Sequence, residues 1–252
     1  MLRVDLNCDM GEGFDNDARI MPYISSVNIA CGYHAGNTDT MRRTVELALK
    51  YGVAIGAHPS YPDKENFGRT DLLGTLINYS DLSTIVTEQV SLLQDICNEF
   101  GTSLHHVKPH GALYNRAAKE AAVSAIICSA VQQIEAGLVV YGLSNSVMKK
   151  EAVYFNLAFA SEAFADRRYM DDGSLAPRTE ANALIEDTRE AIKQVLNMVK
   201  EKKVTGISGK FIPVEADTIC IHGDGAHAAE FAKAIHTALQ ENDIFIESIK
   251  KS

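Results

Sequence analysis

The chain has 252 residues, a length at which an α/β barrel still forms one unit. Its 46% hydrophobic and 23% charged residues supply a substantial core and exclude an intrinsically disordered chain. A formal net charge of −9, from 24 Lys and Arg against 33 Asp and Glu, opposes binding through phosphates to nucleic acid or to an anionic membrane.

Asp5 and Asp9 fall where a signal peptide needs an uninterrupted apolar run, so export is not expected. The longest stretch of small apolar residues, 121–131, carries Ser124 and Ser129 and falls short of the roughly 18 residues that a membrane span requires. Five scattered cysteines without a CxxC pair suggest reduced cytoplasmic thiols rather than a disulfide framework or a thiolate zinc site.

In chain order, a strand is expected at 2–6, followed by the polar residues Asn7, Asp9 and Glu12. A second strand, 27–30, leads to His34 and Asn37. Met41, Val45, Ala48 and Leu49 then fall on one helical face, with Thr38 or Asp39 as N-cap and Gly52 as the stop. The strand 53–57 ends at His58, and the connection 60–78, with Pro62, Gly68 and Gly74, is long enough to serve as a flap over a site. Leu82, Ile85, Val86, Leu93, Ile96 and Phe100 form a helical stripe that Gly101 ends. The strand 104–107 precedes Lys108 and His110, and strands follow at 138–141 and 153–159. Glu162, Asp166 and Arg167 lie in a second long connection, 161–178, which also holds an exposed turn at Asp171 and Asp172. Ile185, Ile192, Val195, Leu196 and Val199 mark another helix. The strand 218–221 ends at His222, and a weaker one is expected at 244–249.

Alternation of strands with helices predicts a parallel sheet. We expect a single β/α barrel domain over 1–252, with an open doubly wound sheet as the other arrangement; both place ligands beyond the carboxyl ends of the strands. There Asp9 serves either as a turn acceptor or as a catalytic carboxylate. His34 and His58, taken singly, read first as hydrogen-bonded rim histidines. Lys108 carries the strongest functional signal, because an ammonium at the end of an apolar strand is costly to bury unpaired. His105 and His106 point to opposite faces of their strand and receive no role, and His236 is expected to be solvated. The stretch Gly223-Asp224-Gly225-Ala226-His227-Ala228 follows a strand and opens a helix. With His222 it is a candidate phosphate or carboxylate site, and equally a tight βα turn. P-loop spacing, HExxH and GxSxG do not occur in the sequence.

Six segments together resemble the LamB/YcsF family: Asp5-Leu6-Asn7-Cys8-Asp9-Met10-Gly11-Glu12; Asn28-Ile29-Ala30-Cys31-Gly32-Tyr33-His34-Ala35-Gly36; Gly56-Ala57-His58-Pro59-Ser60-Tyr61-Pro62-Asp63; Val107-Lys108-Pro109-His110-Gly111-Ala112-Leu113-Tyr114-Asn115; Glu162-Ala163-Phe164-Ala165-Asp166-Arg167; and His222-Gly223-Asp224-Gly225. The resemblance spans about residues 5 to 230. It implies an irregular seven-stranded β/α barrel, similar to polysaccharide deacetylases, that acts with 5-oxoprolinase subunits B and C. The implied activity is ATP-dependent opening of the lactam of 5-oxo-L-proline to L-glutamate, with ATP as co-substrate. Two positions depart from the family pattern: Asn37 stands where Asp is usual, and Arg168 where a small residue is common.

On that reading Asp9 acts as base for water or as a metal ligand, and His58 and His110 orient groups or exchange protons. Lys108 stabilises oxyanion or phosphate charge, and Arg167 clamps the substrate carboxylate, with Glu162 and Asp166 holding the two cations in place. Asn7 and His34 complete the substrate site. A competing reading is a metal-dependent amide or deacetylase-type hydrolase whose divalent ion is held by Asp9 and two of His34, His58 and His110. A third is a non-catalytic subunit that binds a small acid. The oligomeric state stays open.

Overall fold

Every interior strand is buried along most of its length, as a parallel strand covered on both faces must be. The computed structural model describes residues 1–177, 180, 182–223, 225 and 227–251. The first half runs β1 (Leu2–Met10), α1 (Asp17–Ile20), a 3-10 turn (Met21–Tyr23), β2 (Ser26–Ala30), α2 (Thr38–Tyr51), β3 (Ala54–His58) and α3 (Tyr79–Glu99). It continues through β4 (His106–Val107), α4 (Gly111–Ala117), α5 (Ala121–Ile134), β5 (Val139–Leu143), α6 (Met148–Tyr154) and β6 (Ala158–Phe164). The remainder comprises α7 (Thr188–Glu201), β7 (Lys203–Thr205), β8 (Phe211–Pro213), β9 (Thr218–Ile221), α8 (Ala228–Glu241) and β10 (Ile244–Ile246).

Seven parallel strands pair in the order β1, β2, β3, β4, β5, β6, β9, and β9 pairs back onto β1. The sheet is therefore closed, and the barrel, rather than the open doubly wound sheet, is the architecture. β10 adds beside the start of β1, and β7 and β8 form an antiparallel ribbon apart from the barrel. Within the barrel the Asp5 carboxylate accepts hydrogen bonds from Ser25, Ser26 and Thr218 at 2.6 to 2.7 Å, tying β1 to β9 and to the chain at the start of β2. His106 fills the space above Gly56 and stacks on Tyr141 with ring centroids 4.0 Å apart.

Several expected boundaries move. Residues 153 and 154 belong to the end of α6, with Val153 and Tyr154 65% and 76% exposed, and the strand runs 158–164 instead. Apolar β-branched and aromatic residues at a helix end had the composition of a strand. The connection after that strand consequently begins at 165, not 161. The N-cap of α2 is Asn37, whose side chain accepts from Thr40 N–H, rather than Thr38 or Asp39. Gly52 ends α2 in the left-handed conformation, as expected. Asp187 caps α7, so Ile185 lies ahead of the helix. His236 is half-buried and bonds the Tyr23 carbonyl, not solvent alone. Among the described residues no helix is long and apolar enough to cross a membrane.

Candidate functional site

The barrel's strand ends deliver polar side chains into one cleft of about 500 Å³, lined by Asp9, Glu12, His58, Lys108, His110 and Arg167 among others. At its floor sits Lys108, 2% exposed, just beyond β4. Its ammonium donates to Glu162 Oε1 at 2.8 Å, Asp9 Oδ1 at 2.9 Å and Asn7 Oδ1 at 3.3 Å, and lies 3.2 Å from Cys220 Sγ. The ring of Phe164 lies 5.5 Å away. Burial opposes the charge on Lys108, but Asp9, Cys220 and Glu162 outweigh it and hold the ammonium well above the ordinary lysine range.

Asn7 and Asn28 lock this arrangement. Asn7 Nδ2 donates to Glu162 and to Thr218 Oγ1, while Asn28 Nδ2 donates to Asn7 Oδ1 and Asp9 Oδ1. His106 in turn donates to Asn28 Oδ1 at 2.7 Å, so the polar interior of the barrel fixes the carboxylate of Asp9 from below. Burial disfavours the Asp9 anion, yet the charges of His58 and Lys108 hold its carboxyl well below the usual range. Tyr114 lines the same floor; burial and the neighbouring Glu162 push its hydroxyl well above the ordinary tyrosine range, so it stays protonated.

Beside this centre lies a histidine cluster. His58 Nδ1 bonds the Lys108 carbonyl at 2.7 Å, and its Nε2 stands 2.8 Å from His110 Nδ1 and 3.4 Å from Asp9 Oδ2. His110 Nε2 bonds the Phe67 carbonyl, and the His34 and His110 rings stack at 3.8 Å with their planes 6° apart. Glu12 Oε1 is 3.1 Å from His34 Nε2 and 3.6 Å from His110 Nδ1. Burial, reinforced by the charge of His58, lowers the His34 imidazole to about 3; the same causes keep His110 well below the ordinary histidine range. Ligand atoms of Glu12, His34, His58 and His110 all lie within 4.8 Å of one another, a geometry open to a metal ion. Asp9, Cys220 and His222 form a second such group.

The flank is built by the connection after β6. Asp166 pairs with His222 Nδ1 at 2.8 Å rather than bracing Arg167 alone, and His222 lies over Phe164. Arg167 lines the cleft and is 7% exposed, with one N–H donated to the Ala176 carbonyl at 2.5 Å, so it also fastens its own loop. Arg168 turns away to a two-point pair with Glu190 on α7. Asn37 is exposed and serves as a helix cap. Gly223 lines the cleft and Gly225 accepts from Asn16, whereas Asp224 lies outside the described residues.

Sequence reasoning placed Glu12 near the site but gave it no role, and passed over Asn28, Thr218 and Cys220. Asn28 had left a signal: an amide in the middle of a run of buried strand residues needs partners inside the barrel.

The LamB/YcsF family model matches residues 4–252. The A subunit of 5-oxoprolinase from Tolumonas auensis is 48% identical over 99% of this chain and 100% of its own length. The crystal structure of a lactam utilization protein from Thermus thermophilus superposes with a TM-score of 0.91 at 37% identity, covering 98% of this chain and 100% of that one. The peptidoglycan deacetylase PdaC from Bacillus subtilis shares the fold at a TM-score of 0.50 and 12% identity, over 98% of this chain and 88% of its own. Matched along nearly its whole length by the family model, and sharing its barrel with a relative of known structure, this chain belongs to the LamB/YcsF family.

Proposed function

We propose that the chain is the A subunit of an ATP-dependent 5-oxoprolinase, which works with subunits B and C to convert 5-oxo-L-proline, ATP and two waters into L-glutamate, ADP and phosphate. The observation that carries this reading is the 48% identity, over full length, with a protein named as the A subunit of 5-oxoprolinase. The cleft supports it, being of a size for a small molecule and polar at its floor. Five free, buried cysteines are in keeping with a reducing cytoplasm.

A five-membered lactam resists hydrolysis because its amine and carboxyl ends are held together, an advantage that reaches effective molarities of about 10⁵ M or more. Coupling to ATP supplies the driving force, and phosphorylation of the lactam oxygen is the activation that opens the carbon to water. Asp9, kept anionic and placed by Asn28, is the base for that water. Lys108, with a charge fixed by Asp9 and Glu162, faces the oxygen on which negative charge develops. His58 reaches Asp9 from the opposite side and passes a proton toward His110. Arg167 and His222, on the far wall, meet the substrate carboxylate or a phosphate.

The test follows glutamate and phosphate together in a reconstituted mixture, with each subunit omitted in turn. Coupled turnover is expected only with all three present. Full turnover by this chain alone would remove the partner requirement, and glutamate release without ATP would replace the coupled reaction with simple amide hydrolysis.

A further inference from the structure

We infer that Glu12, His34, His58 and His110 form a binding site for one divalent transition-metal cation of the zinc class. The inference stands on where the imidazole protons must go. His58 can only donate from Nδ1, because its partner there is the Lys108 carbonyl, and His110 can only donate from Nε2, to the Phe67 carbonyl. His34 is held at both ring nitrogens, Nδ1 by Ser60 Oγ and Nε2 by Glu12 Oε1, each at 3.1 Å. With the His58 and His110 ring protons turned outward, His58 Nε2 and His110 Nδ1 face each other at 2.8 Å across one shared proton and His34 Nε2 faces Glu12, positions that a cation takes over from the protons. The parallel stack of His34 on His110 fits two neutral rings, since two imidazoliums at 3.8 Å would repel.

Those nitrogens and the Glu12 carboxylate face one another. His58 Nε2 and His110 Nδ1 are 2.8 Å apart, and Glu12 Oε1 is 3.1, 3.6 and 4.0 Å from His34, His110 and His58. These separations straddle the ligand-to-ligand distance of roughly 3.3 Å set by tetrahedral bonds of about 2.0 to 2.1 Å. Histidine ligands that donate their second N–H to a carbonyl or hydroxyl are the usual outer support of a metal centre. A cation that displaces the protons shared within the cluster meets four ligand atoms already gathered within 4.8 Å of one another. Three imidazoles and one carboxylate suit zinc or a neighbouring ion rather than calcium or magnesium.

The surrounding backbone is built to hold the cluster. Gly68, at φ +65°, leaves no room for a side chain: a Cβ there would sit 2.9 Å from both the His110 ring and the His34 Cβ. The Gly68 carbonyl accepts from Ala112 N–H, which clamps the 60–78 connection onto α4 directly over the two rings. Asp9 groups instead with Cys220 and His222: its Oδ1 is bonded to Lys108 and Asn28, while its Oδ2 stands 3.4 Å from His58 Nε2. The site rests on this geometry and not on the oxoprolinase reading; a bound cation takes the place of the proton exchanged between His58 and His110, and binding to the isolated chain is measured without turnover.

Purified chain, stripped with chelator and dialysed, is titrated calorimetrically with Zn²⁺, and its Co²⁺ form is examined by visible absorption. We expect about one equivalent bound, a cobalt spectrum of low coordination number and a raised unfolding temperature for the loaded protein. Glu12→Gln and His110→Gln should each weaken binding about 10-fold or more, while His222→Gln, in the other group, should leave it within a few-fold. Absence of stoichiometric binding by the unaltered chain would overturn the site and leave a proton shared between His58 and His110 as the bond that joins them. Equal binding by the Glu12→Gln and His110→Gln chains would overturn it as well.

Discussion

Lys108 is the residue on which fold and chemistry meet. In the folded chain it neutralises Asp9 and Glu162 at the floor of the cleft. Lys108→Ala should therefore lose about 3 to 5 kcal/mol of stability, the usual result of stranding a buried charge, as well as activity. Urea denaturation measures the first, and an unchanged midpoint would show that the two carboxylates find other partners. Asp17 offers a contrasting case. Burial raises its carboxyl to about 6 although it accepts from Gly11 N–H, so the native state holds this proton more tightly than the unfolded chain does. Its contribution is complete below pH 3.8 and is lost as pH rises toward about 6, amounting to about 3 kcal/mol. Asp17→Asn should gain on the unaltered chain across that window and keep the advantage above it; a difference independent of pH would refute the assignment. Lys108 could be picked out in the sequence because an ammonium after apolar residues is conspicuous. Glu12 could not, since an acid in a glycine-rich turn looks solvated until three histidines from distant segments are folded against it.

At the level of elements, the period of hydrophobic residues was enough to find most of the barrel strands and the helices α2, α3 and α7, because burial repeats every two or every 3.6 residues, but it did not mark α1, α4, α5 or α6. It failed where composition and position disagree, as at Val153 and Tyr154, and it missed the β7–β8 ribbon, whose three-residue strands are too short to show a period. β4 has only two residues and would also be obscure without its flanks. Its stability comes instead from His106, seated against Gly56 of β3. A Cβ at Gly56 would fall 2.1 to 2.4 Å from three atoms of the His106 ring, a clash that only displacement of the imidazole from Asn28 and Tyr141 can relieve. Gly56→Ala should thus destabilise by about 3 kcal/mol or more through overpacking and loss of a buried hydrogen bond. Gly137→Ala, whose Cβ meets only the Glu135 side chain at 3.5 Å, is the control and should be near neutral. Equal thermal midpoints for the two variants would mean that the barrel interior accommodates the methyl group.

Across the whole molecule, charge is distributed unevenly in a way that composition conceals. The chain carries −9 overall, a field that repels a small carboxylate or a nucleotide. The cleft nevertheless presents Arg69, Lys119 and Arg167 on its walls, while Asp9 at its floor is paired with Lys108. An anion therefore meets repulsion at a distance and attraction only near the mouth, where Lys119 is exposed and Arg69 lies over the Phe67 ring. The charge of Lys119 acts on exposed Asp172, and among the described residues no ion pair joins it to a buried acid, so it tests attraction without disturbing the floor. Since the Debye length shrinks from about 10 Å at 0.1 M salt to about 3 Å at 1 M, the local attraction of exposed cations is the part that salt removes. In the reconstituted enzyme, Lys119→Ala should raise KM for 5-oxoproline by about 2- to 5-fold at low salt with little change in kcat, as expected when binding is lost equally from ground and transition states. The difference between the variant and the unaltered chain should shrink as KCl is added. A KM difference that persists undiminished at high salt would mean that Lys119 acts through direct contact with the substrate, and a fall in kcat with KM unchanged would place its effect on the chemical step.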